Sequence, residues 1–150
     1  MEEEKKIKSE KNISQTIEAA HNLINELTNI ESFTEEDLSK KALYLSVIKP
    51  TISQSESELE YNLRLIKAQK KTLYEDTYLK LKHFKEYSQE DRKVMANKEL
   101  RPLEIKEVKV KFLLKNVSNL KEDITQILST IHNRIHTLRL TKNKQNTLFN

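Results

Sequence analysis

The sequence contains no glycine, no cysteine and no tryptophan, and only 2 of its 150 residues are proline. A protein of this length with average composition would contain about ten glycines. Phosphate-binding loops, dinucleotide-binding turns and nucleophile elbows all need backbone positions that glycine fills at low cost, so the sequence excludes them. Without cysteine, disulfides, thiolate metal sites and cysteine nucleophiles are excluded as well. These absences predict that the chain is not an enzyme and uses no cofactor.

Long hydrophobic runs are also missing. The longest stretch free of Asp, Glu, Lys and Arg, residues 124–133, has only ten residues, whereas a membrane-spanning helix needs about twenty. Residues 1–6 lack the apolar core of a signal peptide. We therefore expect a soluble, cytoplasmic protein without a membrane partner.

Charged side chains make up 33% of the chain and are unevenly distributed. Residues 1–63 hold 7 basic and 13 acidic side chains, whereas residues 64–115 hold 15 basic and 8 acidic ones, a net charge of +7. Such a basic segment is typical of a protein with a polyanion partner. Lysines outnumber arginines by 22 to 5, which favours contact with phosphates over the reading of base edges.

Apolar residues recur at helical spacing along most of the chain, and no strand pair is predicted. We expect a charged tail over residues 1–12, a single helical domain over 13–140 and a second tail over 141–150. Ile13 begins the first apolar face. Thr34 can cap a second helix, which Pro50 is expected to end.

A basic central helix is predicted over about 53–87, and Ser88 with Asp91 three residues later favours a new helix start. Pro102 can open the last helix, which is predicted over about 103–140. The alternation over residues 108–112 is interpreted as the beginning of that helix, because no second strand exists to pair with it.

The fold class is therefore all-α, an elongated helical hairpin or coiled-coil-like subunit with a long C-terminal amphipathic helix. A helix of 38 residues is roughly 57 Å long, more than the roughly 40 Å diameter of a compact globule of this size. We expect its apolar seam to be buried against other subunits of a homo-oligomer. The predicted oligomerisation residues are Leu113, Val117, Leu120, Ile124, Ile127, Ile131 and Leu138.

Two histidines, His132 and His136, are spaced so that both could face one metal ion on a helix. No third ligand is evident near them, and the favoured interpretation is two polar residues on the flank of the long helix. We therefore predict no metal site.

The central helix carries a basic stripe. At 100° per residue, its members fall within an arc of about 80° beside the apolar seam; they are Arg64, Lys67, Lys71, Tyr74, Tyr78, Lys82 and Lys85. Lys70 lies within the seam itself. Ammonium groups beside tyrosine rings suit single-stranded nucleic acid, with phosphates on the cations and bases on the rings. Alternatively, these residues only flank a coiled-coil seam and are solvated.

The run Leu-Arg-Leu-Ile-Lys-Ala-Gln-Lys-Lys at residues 63–71 resembles the central helix of phage recombination mediators of the UvsY type. The run Leu-Ser-Lys-Lys-Ala-Leu-Tyr at 38–44 is similar to the helix that precedes it in that family. A charged break near 87–93 and a long amphipathic helix after 104–106 follow in the same order. The resemblance covers roughly residues 35–140. The family's Lys-Ala-Arg-Leu motif is replaced here by Glu-Asp-Thr-Tyr at 75–78, so only Lys67, Lys70 and Lys71 carry over as DNA contacts.

The resemblance implies a small helical homo-oligomer that functions in DNA recombination and repair. It implies that the chain binds single-stranded DNA and helps load a RecA-like recombinase onto DNA covered by single-strand-binding protein. The alternative is a structural or scaffolding helical oligomer without a nucleic-acid role.

Overall fold

The computed structural model describes residues 15–148 and is helical throughout its regular secondary structure, which confirms the all-α prediction. The elements in chain order are α1 within residues 15–26, a 3₁₀ segment at Leu27–Ser32, α2 at Glu35–Lys82, α3 at Gln89–Glu99 and α4 at Arg101–Leu148. Residues 1–12 and Ile13, for which a tail and the start of an apolar face were predicted, lie outside the described residues. At its C-terminal end α4 continues past residue 140, where a tail was predicted.

The connections between helices form without glycine. No described residue has a positive φ angle, so the turns between the described helices use no left-handed backbone. Phe33, for example, is extended at φ −92° and ψ 145° between the 3₁₀ segment and α2. Turns of this kind need no left-handed position, which is where glycine would be required.

Thr34 caps α2 as the sequence predicts. The Asp37 backbone N–H donates to Thr34 Oγ1 at 3.2 Å, and the Thr34 hydroxyl donates to Asp37 Oδ2 at 2.6 Å. The hydroxyl thereby satisfies one of the free N–H groups of the first turn. The hydrogen bond from Thr34 also lowers the pKa of Asp37.

The predicted break at Pro50 is wrong, because α2 runs through this residue as one helix. Proline has no N–H, so the helix lacks one hydrogen bond to the carbonyl four residues earlier. Leu45, Ile48 and Ile52, on either side of Pro50, are all buried. Burial of a leucine or isoleucine side chain contributes about 1.5–3 kcal/mol. Packing of this face therefore offsets the cost of the proline, whose own ring lies on the exposed side.

The described chain divides into two compact units, whereas the sequence predicted one domain. Unit 1 contains the residues up to Ser55 and those from Val117 onward, and unit 2 contains residues 56–116. Unit 1 holds most of the buried apolar side chains, from α1, α2 and α4. The fully covered large ones are Leu27, Leu38, Leu45, Ile52, Leu120, Ile124 and Ile131.

Ion pairs on the surface of unit 1 join segments that are distant in sequence. Arg139 Nε on α4 lies 2.7 Å from Glu35 Oε1 in the first turn of α2. Lys41 Nζ lies 2.7 Å from Glu26 Oε2 at the end of α1 and 5.0 Å from the centre of the Phe33 ring. The first pair joins the start of α2 to α4, and the second joins the end of α1 to α2.

Unit 2 consists of the second half of α2, the turn that follows it, α3 and the first part of α4. Ser88 and Asp91 form the predicted capping box at the start of α3, and the Asp91 N–H donates to Ser88 Oγ at 3.1 Å. Ile66, Ala96 and Leu100 are its buried apolar residues. Unit 2 therefore has fewer fully buried apolar side chains than unit 1.

Candidate nucleic-acid interface

The predicted basic stripe lies in unit 2, on the second half of α2. Four of its cations are exposed on this helix, namely Arg64, Lys67, Lys71 and Lys82. Because α2 ends at Lys82 rather than near residue 87, Lys85 lies in the following turn, where it is also exposed. From Arg64 to Lys82 the row is about 27 Å long, at about 1.5 Å per residue. The structure thus places five of the predicted cations on accessible surface.

Tyr74 and Tyr78 lie one helical turn apart beside this row of cations. Both side chains are half-buried. Their rings stack on each other, with centroids 6.2 Å apart and planes inclined by 15°. Both rings keep part of their surface accessible, and an unpaired base could stack there.

Lys70 is separate from the exposed cations. Its Nζ donates to Glu107 Oε2 at 3.0 Å and lies 3.6 Å from Glu104 Oε1, both on α4. The hydrogen bond to Glu107, followed by the other contacts with these two glutamates, raises the pKa of Lys70 despite opposing desolvation. Its charge is therefore balanced inside unit 2. The position of Lys70 does not support the predicted contact with nucleic acid.

Glu107 is the most covered member of this ion cluster, with 12% of its side chain exposed. It pairs with Lys111 at 2.7 Å as well as with Lys70. Hydrogen bonds from Lys111 first and Lys70 second lower the pKa of Glu107 to about 2. Neither Glu104 nor Glu107 was singled out from the sequence. The available signal was a lysine in an apolar seam, which requires an acidic partner on a facing helix.

Electrostatics favour an anion at unit 2. Residues 56–116 hold 15 basic and 11 acidic side chains, a net of +4 that equals the net charge of the whole chain. Arg64 lies 3.9 Å from Glu60, but both groups are largely exposed, so this pair is weak and screened by salt. The exposed cations remain the principal charges on this face of α2.

The predicted oligomerisation residues lie mostly inside a single chain. In unit 1, Val117, Leu120, Ile124 and Ile131 are buried without any second subunit. Ile127 and Leu138 are half-buried. Leu113, in unit 2, is 50% exposed. The helical period identified a buried face correctly, and this face belongs largely to the core of unit 1.

His132 and His136 are exposed on α4. Among the described residues, no group of three or more His, Asp or Glu side chains is arranged to hold a metal ion. No helix within residues 15–148 is long and apolar enough to cross a membrane.

No known protein family, curated protein or solved structure matches this chain. The resemblance to mediators of the UvsY type therefore stays a prediction from the sequence.

Proposed function

We propose that this chain is a homo-oligomeric, non-enzymatic protein that binds single-stranded DNA. As a recombination mediator, it would help load a RecA-like recombinase onto DNA covered by single-strand-binding protein. The observation that supports DNA binding is the row of exposed cations on α2, beside the stacked pair Tyr74 and Tyr78. The mediator role is supported by the sequence resemblance over residues 35–140.

The chemistry of the row suits a single strand better than a duplex. Lysine and arginine side chains on one helix face can follow a flexible phosphate backbone, and the release of counterions supplies the affinity. Tyrosine rings can stack on unpaired bases of any sequence, but they cannot reach bases inside a duplex. We expect binding with little sequence preference, because lysine meets phosphate as a point charge.

Self-association would strengthen such binding. Each chain offers few phosphate contacts, so one copy alone is expected to bind weakly. Several copies on one strand would bind far more tightly, since the later contacts form within one complex. A mediator needs this property, because it must hold DNA that another protein already covers.

A structural or scaffolding oligomer is the second candidate. The observation that favours it is that some residues predicted to contact DNA instead contact other residues of the same chain. Lys70 pairs with Glu107, and Tyr74 stacks on Tyr78. In that case the remaining cations would be a solvated helix face.

Fluorescence anisotropy with a labelled oligothymidine and a matched duplex distinguishes the two candidates. The mediator predicts binding of the single strand at moderate salt, with weaker binding of the duplex. Tyr74→Ala should weaken binding by about 1–3 kcal/mol for each base that stacks there. Tyr44→Ala, which removes a tyrosine 46% exposed in unit 1, is the matched control. Failure to bind either oligonucleotide would contradict the DNA-binding proposal and favour the scaffold.

The mediator role needs its own assay. A RecA-like recombinase hydrolyses ATP when it forms filaments on single-stranded DNA, and single-strand-binding protein delays this step. We expect the chain to shorten the delay, whereas a variant that has lost DNA binding should not. If the chain binds DNA normally but does not shorten the delay in ATP hydrolysis, the DNA-binding proposal stands and the mediator role is contradicted.

A further inference from the structure

The outward side of α2 in unit 2 carries a second apolar stripe, distinct from the buried seam. We call it the outward stripe and define it as Tyr61, Leu65, Ala68, Thr72 and Leu79. The spacings of four, three, four and seven residues place all five within an arc of about 60°. The buried Ile66 lies on the other side of the helix. The outward stripe is therefore not part of the core of unit 2.

Large apolar side chains are exposed along this stripe. Tyr61 is 61% exposed, Leu65 42% and Leu79 55%. Between them, Ala68 and Thr72 line a shallow groove together with Leu65, Asp76 and Leu103 of α4. Small residues at the middle of a helix face allow a second helix to approach closely, because interaxial distance depends on the side chains at the contact.

The charges at the two ends of the stripe indicate which partner fits. The end nearest Tyr61 carries Glu58, Glu60 and Arg64, and the end nearest Leu79 carries Glu75, Asp76, Lys80 and Lys82. If a second copy of the helix lies antiparallel on the first, Glu58 and Glu60 lie opposite the lysines of the other copy, and Arg64 lies opposite its Glu75 and Asp76. A parallel copy would place like charges together.

We infer that the outward stripe is a self-association surface, which binds the same stripe of a second copy in antiparallel orientation. The two-fold axis passes between Ala68 and Thr72, so that Tyr61 of each copy packs against the other copy's Leu79. This inference rests on the self-association in the proposed function and on no other part of it, since DNA is not required.

A nearby apolar surface on α4 does not suit a second copy. Ile105, Val108 and Phe112 are 59–65% exposed at helical spacing. The side chains beside them on α4 include Glu104, Lys106 and Lys109, which are not divided between the two ends of this surface as the charges of the outward stripe are. This surface serves as the matched control.

Sedimentation equilibrium of the full chain without DNA tests the surface. Ala68→Glu places a carboxylate at the centre of the stripe, where symmetry brings it close to its counterpart. The dissociation constant should rise about tenfold or more. Val108→Glu makes the same chemical change on the α4 surface and should leave the constant unchanged. If both variants change the dissociation constant equally, the outward stripe is not the self-association surface, although the chain still self-associates. A monomeric wild-type chain would overturn both this surface and self-association.

Disulfide cross-linking tests the orientation, and the absence of native cysteine makes it easy to interpret. Residues 61 and 79 are about 27 Å apart along one helix, while disulfides need Cα atoms within about 7 Å. Mixed Tyr61→Cys and Leu79→Cys proteins should form a cross-linked heterodimer under mild oxidation, and each variant alone should not. Cross-linking of Tyr61→Cys to itself would overturn the antiparallel arrangement.

Discussion

Lys70 Nζ on α2 lies 3.0 Å from Oε2 of Glu107 on α4, although the two residues are 37 positions apart. The lysine occupies a position that the apolar period assigns to the buried seam. Its partners, Glu107 and Glu104, lie one helical turn apart on α4, so both carboxylates can face the same ammonium group. This ion cluster joins two helices of a unit with few buried apolar side chains, which gives Lys70 a structural role.

Lys70→Ala is expected to destabilise unit 2 and to spare DNA binding. Glu107 would keep only Lys111 as a cationic partner while remaining mostly covered. We expect the melting temperature to fall by about 2–4 °C. The control is Lys71→Ala, an exposed neighbour on the basic stripe, for which the pattern should be reversed. Thermal melting and oligonucleotide titration of both variants check this. Weaker DNA binding with an unchanged melting temperature in Lys70→Ala would contradict the structural role.

The same cluster predicts a dependence of stability on pH. The pKa of Glu107 is lowered from 4.5 to about 2, so its stabilisation is complete above pH 4.5 and is lost as the pH falls towards 2. The pKa of Lys70 is raised above 10.5, so its contribution is lost only at higher pH than that. We expect the melting temperature of the Glu107→Gln variant to be lower at pH 7 and to converge with that of the wild type near pH 2.

Circular dichroism melts between pH 2 and pH 7 provide this measurement. Glu99→Gln, which removes an exposed carboxylate from α3, should follow the wild-type curve. Asp37 and Asp91, whose pKa values are also lowered by hydrogen bonds from Thr34 and Ser88, should contribute to the acid sensitivity that remains in Glu107→Gln. Parallel curves for wild type and Glu107→Gln would show that the ion cluster does not stabilise the fold.

The capping box of α3 is expected to stabilise that helix locally. Ser88→Ala removes the acceptor of the Asp91 N–H and should cost about 1 kcal/mol. Amide hydrogen exchange in α3 should then become about fivefold faster, because 1.4 kcal/mol corresponds to a factor of ten. Ser88→Thr retains a capping hydroxyl and should lose less protection. Unchanged exchange in Ser88→Ala would mean that α3 is held by other contacts.

Ile124 tests whether the seam of α4 is core or interface. It is fully buried in unit 1, so Ile124→Ala should cost about 2–5 kcal/mol at every protein concentration. Leu140→Ala, on the same helix but 49% exposed, should cost about 0.5 kcal/mol or less. Urea denaturation at two protein concentrations measures both. A loss in Ile124→Ala that disappears at high concentration would show that the seam is buried between subunits instead.

Local signals were read correctly from the sequence. Thr34 and Ser88 were predicted as helix caps because a hydroxyl three residues before the backbone N–H that donates to it is a property of the local chain. Pro50 was interpreted wrongly, since packing of Leu45 and Ile52 on either side keeps α2 continuous. Whether a helix continues through a proline depends on the tertiary packing of the residues around it. That packing is not evident from the sequence alone.

The candidate site was predicted in outline only. The period of α2 placed Lys67 and Lys71 on one face, and the structure leaves both exposed. It could not show that Lys70 meets Glu107, because that contact depends on the register of two helices. In the same way, the spacing of apolar residues along α4 predicted that Ile124 is buried. It could not show that residues of the same chain, rather than of another subunit, bury this side chain.

The central claim is that the exposed cations of the basic stripe bind the phosphates of single-stranded DNA. The test variant changes three exposed lysines of the basic stripe to alanine, Lys67, Lys71 and Lys85. The control variant removes the same amount of charge from other exposed positions of unit 2, by changing Lys98, Lys106 and Lys109 to alanine. Both variants must first show the wild-type sedimentation profile, because loss of assembly would also weaken binding.

The most direct measurement is the salt dependence of oligothymidine binding by these two variants and the wild type. Affinity should fall with rising salt, with a log–log slope of about −0.7 for each neutralised phosphate. We predict that the test variant binds more weakly, with a slope shallower by about two units, because three phosphate contacts are lost. The control variant should keep a slope close to that of the wild type. If the test variant keeps both the affinity and the slope of the wild type, the cations of the basic stripe do not bind DNA and the proposed function is contradicted.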